Sequence, residues 1–184
     1  NRARLITPTG QIGVQDKQIM TRFEREEWGV IGGNALQVFD TAIGKIGILI
    51  CYDSEFPLLG RALAECDVIC VPSVTETLAG YWVRIGSMAR ALENQCITAM
   101  SSVVGKADWS EALGQSYGAG GIFCPPDRGF PPTGILGMRE VNAPGWTVAD
   151  ADLAQVAEVR ADGIVLNRRD WQDQIGRDGK AINV

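Results

Sequence analysis

Apolar positions fall in short blocks, each closed by a turn-forming residue, and the blocks predict strands from the start of the chain. The opening run RLITPTGQIGV carries apolar stretches on both sides of Pro8, Thr9 and Gly10, which reads as a hairpin. A polar, acidic connection over 17–33 follows, then a strand in LQVFD, a turn at Gly44 and a strongly apolar strand, KIGILIC, ending at Cys51. Leu58, Leu59, Ala62 and Leu63 share one helical face, and DVICVPS beyond them reads as a buried strand. Strand, helix and strand in that order predict parallel pairing through a crossover. Trp82, Ile85, Ala89 and Leu92 repeat at helical spacing, CITAMSSVVG reads as a strand, and YGAGGIFCPPDRG as a strand closed by a turn. The class is α/β. After Arg160 the chain turns polar and NRRDWQDQ offers no core face, so a domain over 1–160 is expected, followed by a tail over 161–184 lying on the surface or on a partner subunit.

Composition narrows the chemistry. A 46% hydrophobic content in 184 residues suits one packed core. With 17 basic against 22 acidic residues, a net charge of -5 and no basic cluster, nucleic acid and anionic membrane surfaces are poor partners. No apolar run reaches the ~20 residues that cross a bilayer. Cys51, Cys66, Cys70, Cys96 and Cys124 are odd in number and lack paired zinc-site spacing, which reads as free thiols in a reducing cytoplasm and predicts no metal. The chain contains no histidine, so neither a Ser-His-Asp nor a Cys-His arrangement can be built within it. A nucleophile here must be activated by lysine and carboxylates.

Cys51 stands where a buried strand meets the polar loop YDSEFP that leads into a helix. Such strand ends in α/β sheets collect reactive groups because the side chain emerges at the rim beside free backbone N–H groups. The string GKIGILICYDSEFPLLGRAL, with Gly47, Cys51, Tyr52, Asp53, Phe56, Pro57 and Arg61, resembles the nucleophile elbow of the nitrilase, or carbon–nitrogen hydrolase, superfamily. The likeness continues through Trp82, Arg90, Ala91, Glu93 and Asn94 on the predicted helix, the glycines from Gly118 to Gly121, and the turn from Pro126 to Gly129.

The resemblance implies a four-layer α-β-β-α sandwich and a triad of glutamate, lysine and cysteine. Lys17 lies 34 positions before Cys51 and matches the lysine better than Lys45 or Lys106. Of Glu24, Glu26 and Glu27, Glu24 matches a supporting glutamate by its position relative to Trp28. Tyr52 is expected to offer an oxyanion N–H, Glu76 and Trp82 to line a substrate pocket, and Asp53, Arg90, Glu93 and Asn94 to hold the site loops. No glutamate precedes Lys17, so the N-terminal part of the sandwich, with its general-base glutamate, is expected to lie outside this sequence. The implied reaction is hydrolysis of a small amide, carbamoyl compound or nitrile through a cysteine thioester or thioimidate, with no cofactor, in a homodimer or larger homo-oligomer. N-acyl transfer on the same scaffold, a thiol redox sensor and a catalytically incomplete half-domain serving subunit association are the rival readings.

Overall fold

The computed structural model describes residues 1–76, 79–110 and 114–182, the side chain of Ala79 apart, so the last two residues of the polar tail lie outside the described residues. The opening hairpin forms as read: β1 (Arg2–Ile6) pairs antiparallel with β2 (Ile12–Asp16) in a two-stranded sheet. Gly10 turns the chain at φ 81°, a conformation that favours glycine. The polar connection after β2 holds a short helix, α1 (Arg22–Glu26), entered through a reciprocal cap between Thr21 and Glu24.

The second sheet has six strands in sequence order: β3 (Phe39–Thr41), β4 (Gly44–Ile48), β5 (Val68–Ser73), β6 (Ile97–Ser102), β7 (Gly121–Phe123) and β8 (Ile135–Met138). β4, β5 and β6 run parallel, and the flanking pairs are antiparallel. The crossovers supply α2 (Pro57–Ala62) and α3 (Ala79–Asn94). Alternation along β5 sends Ile69 and Val71 to one face, where they pack with Leu49, Leu63, Val83, Ala91 and Phe123 in the main core. On the other face Val68, Ile97 and Ile122 meet Val156 of α4 (Leu153–Asp162).

Three expectations are corrected. The strand read through Cys51 ends at Ile48, and Cys51 opens a tight 3-10 turn, Cys51–Glu55. The apolar stripe on α3 is its outer face: Trp82, Ile85 and Leu92 are exposed, while Val83, Ser87, Arg90, Ala91 and Asn94 are buried. Spacing shows that a helix has a stripe, but here close approach decides which side goes in. Gly86 lies so near the turn at Cys51 that a Cβ there would sit 2.8 Å from the Ser54 carbonyl oxygen. Likewise Leu58 of the expected apolar face of α2 is exposed, whereas Leu63 is fully buried. α4 spans Leu153–Asp162, across residue 160. Asp152 caps it by accepting from the N–H groups of Ala154 and Gln155, and Val156 and Val159 form its buried side.

Candidate active site

At the carboxyl end of β4 the backbone reverses through Cys51, which holds φ 54° in the left-handed region that side-chain-bearing residues avoid. The turn is secured from within. Ser54 Oγ donates to the Cys51 carbonyl at 2.7 Å, and the fully buried Asp53 accepts the N–H of Ile50 at 3.2 Å. The same carboxylate accepts from Ile19 N–H at 2.8 Å and from Gln18 N–H at 3.1 Å. Asp53 therefore fastens the segment just after Lys17 to the turn that bears the thiol. Replacing Asp53 with Asn removes the charged acceptor, and we expect a loss of about 3 kcal/mol in urea unfolding, as for a buried charged hydrogen-bond acceptor. A loss below ~1 kcal/mol would mean the two segments are held by other contacts.

Lys17 is buried at 3% exposure, and its Nζ lies 2.5 Å from Glu24 Oε2. Glu24 also accepts from the N–H and the hydroxyl of Thr21, both at 2.9 Å, and from Asn1 Nδ2 at 2.9 Å. Burial raises the Glu24 carboxyl, but the bonds from Lys17, Thr21 and Asn1 outweigh it and lower the pKa to about 2. Glu26 and Glu27, the other carboxylates of that stretch, are exposed. Thr21, which sequence reasoning passed over, selects Glu24 among them. The string TRFE is a capping-box signature that could have identified the pair in advance.

The Cys51 Sγ is partly buried and lies 3.7 Å from the Val74 carbonyl oxygen, to which its S–H donates. Burial pushes its pKa up; the charge of Lys17 and the N–H of Tyr52 pull it down, Glu24 opposes them, and the balance is a raised pKa. The ammonium of Lys17 favours the thiolate but is outweighed, because burial removes solvent and Glu24 offsets the charge. The shift favours the protonated thiol.

Access separates Cys51 from Cys66, Cys96 and Cys124, whereas Cys70 is half-buried as Cys51 is. Cys66 and Cys96 are fully buried with burial raising both to about 12, and Cys124 is buried and raised to about 11. Iodoacetamide should label Cys51 before Cys66, Cys96 and Cys124; peptide mapping that finds Cys66 or Cys124 modified first would argue against a reactive Cys51.

The remaining expected residues divide in two. Arg90 Nη1 donates to the Ser54 carbonyl at 3.2 Å and Nη2 to Glu93 Oε2 at 3.1 Å, while Asn94 Nδ2 donates to the Gly60 carbonyl at 3.2 Å. These three α3 residues thus grip the turn at Cys51 and α2. Glu76 is exposed, two positions beyond the Val74 carbonyl that meets the thiol, and Trp82 is turned outward with 54% of its surface open. Among the described residues no cluster of histidine, cysteine or carboxylate groups could hold a metal ion, and no helix is long and apolar enough to cross a membrane.

Residues 1–121 match the family model described as carbon-nitrogen hydrolase. Over 178 residues, 95% of the chain, the sequence is 40% identical to the probable hydrolase YhcX of Bacillus subtilis (strain 168), and it spans 35% of that protein's length. The structure of XC1258 from Xanthomonas campestris, a CN-hydrolase superfamily protein with an arsenic adduct in its active site, aligns with 100% of the chain at a TM-score of 0.72 and 20% identity, over 65% of its own length. An amidase from Nesterenkonia sp. AN1, seen after Michael addition of acrylamide to its active-site cysteine, aligns over 92% of the chain and 62% of its own at a TM-score of 0.67 and 24% identity.

Proposed function

The chain belongs to the carbon–nitrogen hydrolase family, and from that premise we propose that the protein carrying it hydrolyses a small non-peptide amide or carbamoyl compound through a thioester on Cys51. The observation that carries this reading is the convergence of a left-handed Cys51 at a strand end with the buried Lys17–Glu24 pair, whose charges both act on the thiol.

In the proposed sequence a base takes the S–H proton and the sulfur attacks the carbonyl carbon, forming the C–S bond. The oxyanion that develops is held by Lys17 Nζ and the Tyr52 N–H. As the C–N bond breaks, the base returns its proton to the leaving nitrogen, and ammonia or an amine departs. Water, deprotonated by the same base, then attacks the thioester, so that the carboxylic acid leaves and the thiol is regenerated.

Glu24 is poorly suited to be that base. A carboxylate with a pKa near 2 and donors on both oxygens has little affinity for a thiol proton. We assign it instead to fixing Lys17 in place, and we assign the base to the triad glutamate that the family resemblance implies. We assign Glu76, two positions beyond the Val74 carbonyl that meets the thiol, to substrate contact. Copies of the protein would associate through the outer face of α2 and α3, where Leu58, Trp82 and Ile85 are exposed.

The test is ammonia release from simple amides by the full-length protein, with intact-mass detection of an acyl adduct on Cys51. The reading requires the adduct and requires turnover to stop on alkylation of Cys51. Turnover that survives quantitative alkylation of Cys51 would overturn it.

A further inference from the structure

At the edge of the sheet away from Cys51, a cleft of about 590 Å³ is lined by Arg61, Arg160, Arg168 and Arg169, with Glu65 as the single carboxylate. Four guanidinium groups around one cleft are conspicuous in a chain of net charge -5. The position follows from the topology. Arg160 of α4 donates to the carbonyls of Cys66 and Gln95, immediately before β5 and β6, whereas Cys51 follows the opposite, carboxyl end of β4.

The charges in this cleft are only partly neutralised. Arg160 pairs with Asp67 at 3.1 Å and Arg169 with Asp170 at 2.7 Å, while Glu65 is engaged by Lys45 at 2.9 Å. Among the described residues neither Arg61 nor Arg168 forms a salt bridge. Arg168 Nε donates to the Ala64 carbonyl at 3.0 Å, and Arg61 Nη2 donates to the Arg168 carbonyl at 2.9 Å. Arg61 Nη1 is buried without any hydrogen-bond partner, and its guanidinium is stacked 4.7 Å from the centre of the Trp171 ring. Burial, and then the neighbouring charge of Arg168, lower the Arg61 pKa. A half-buried guanidinium with one N–H group unsatisfied and no salt-bridge partner, beside a second cation also without one, is a source of repulsion that an anion in the cleft would relieve.

We propose that this cleft is a binding site for a phosphate-type dianion, separate from the thiol site, in which the planar forks of Arg168 and Arg169 contact the phosphoryl oxygens and Arg61 and Arg160 supply field from behind. Arginine forks suit two adjacent oxygens on one centre, and the volume admits a phosphorylated small molecule as well as inorganic phosphate.

The experiment is isothermal titration of the full-length protein with inorganic phosphate and, separately, with glycerol 3-phosphate, at constant ionic strength set by chloride. Saturable binding of either anion is expected. The stronger of the two identifies the source as the free ion or an ester. Arg169 is exposed, so Arg169→Gln should keep the native circular dichroism and weaken binding about tenfold, the loss of one charge-assisted pair. Arg168→Lys, which keeps the charge but not the fork, should weaken it less than Arg168→Gln. Cys51→Ala should bind phosphate as the wild type does, which separates this site from the hydrolytic reading. Binding unchanged in both Arg169→Gln and Arg168→Lys, or a signal that extra chloride reproduces, would overturn the proposal.

Discussion

Replacing Cys51 with alanine in the full-length protein should lower amide turnover by on the order of 10⁴-fold or more, the scale on which removal of a nucleophile acts. The fold should survive. The Cys51 side chain gives up one S–H bond to Val74, while the turn is held by Ser54, Asp53 and Arg90 through contacts that do not involve the sulfur. Steady-state ammonia release, read beside a thermal melt, checks both halves. Normal turnover with an intact fold would remove Cys51 from the mechanism.

The second large effect belongs to Lys17. In Lys17→Met, Glu24 is left buried without its cation, and removing one partner of a buried pair costs about 3–5 kcal/mol. The same substitution takes away one of two proposed oxyanion donors, which is worth a factor of about 10² to 10³ in kcat. The two losses can be separated. Adding Glu24→Gln to Lys17→Met removes the stranded charge and should restore most of the stability with none of the turnover. A double variant that regains activity together with stability would show that Lys17 acts only by supporting the fold. Acid should expose the same pair: Glu24 has a folded pKa of about 2, below its unfolded value. Its contribution to stability is therefore present above the unfolded pKa and fades as pH falls toward 2.

Much of this was legible in the sequence because it rests on local signals. The hairpin about Gly10, the parallel β4-α2-β5 unit and the order of motifs through Asn94 all follow from apolar runs and the residues that interrupt them. Cys51 was singled out by its place at the end of an apolar run and by the family resemblance of the string around it. What stayed hidden depends on neighbours distant in sequence. Nothing in WVRIGSMARALEN says that the turn after β4 crowds Gly86, yet that contact decides which face of α3 is buried. The raised thiol pKa is likewise a tertiary quantity, since it sums burial with charges contributed from 27 and 34 positions away. α4 was missed despite ordinary signals, an Asp cap followed by apolar residues three apart, because no element was read between the turn at Gly129 and Arg160.

The backbone at Cys51 has a consequence for what selection would do to this protein. At φ 54° a side chain is a burden of about 1 kcal/mol or more, and glycine alone carries none. Cys51→Gly should therefore unfold at a higher denaturant concentration than Cys51→Ala, although both lack the thiol. A library screened only for heat resistance would drift toward glycine at this position and lose catalysis while it gained stability. A screen for activity would hold cysteine there against that pull, so the identity of residue 51 in an improved variant reports which of the two pressures produced it.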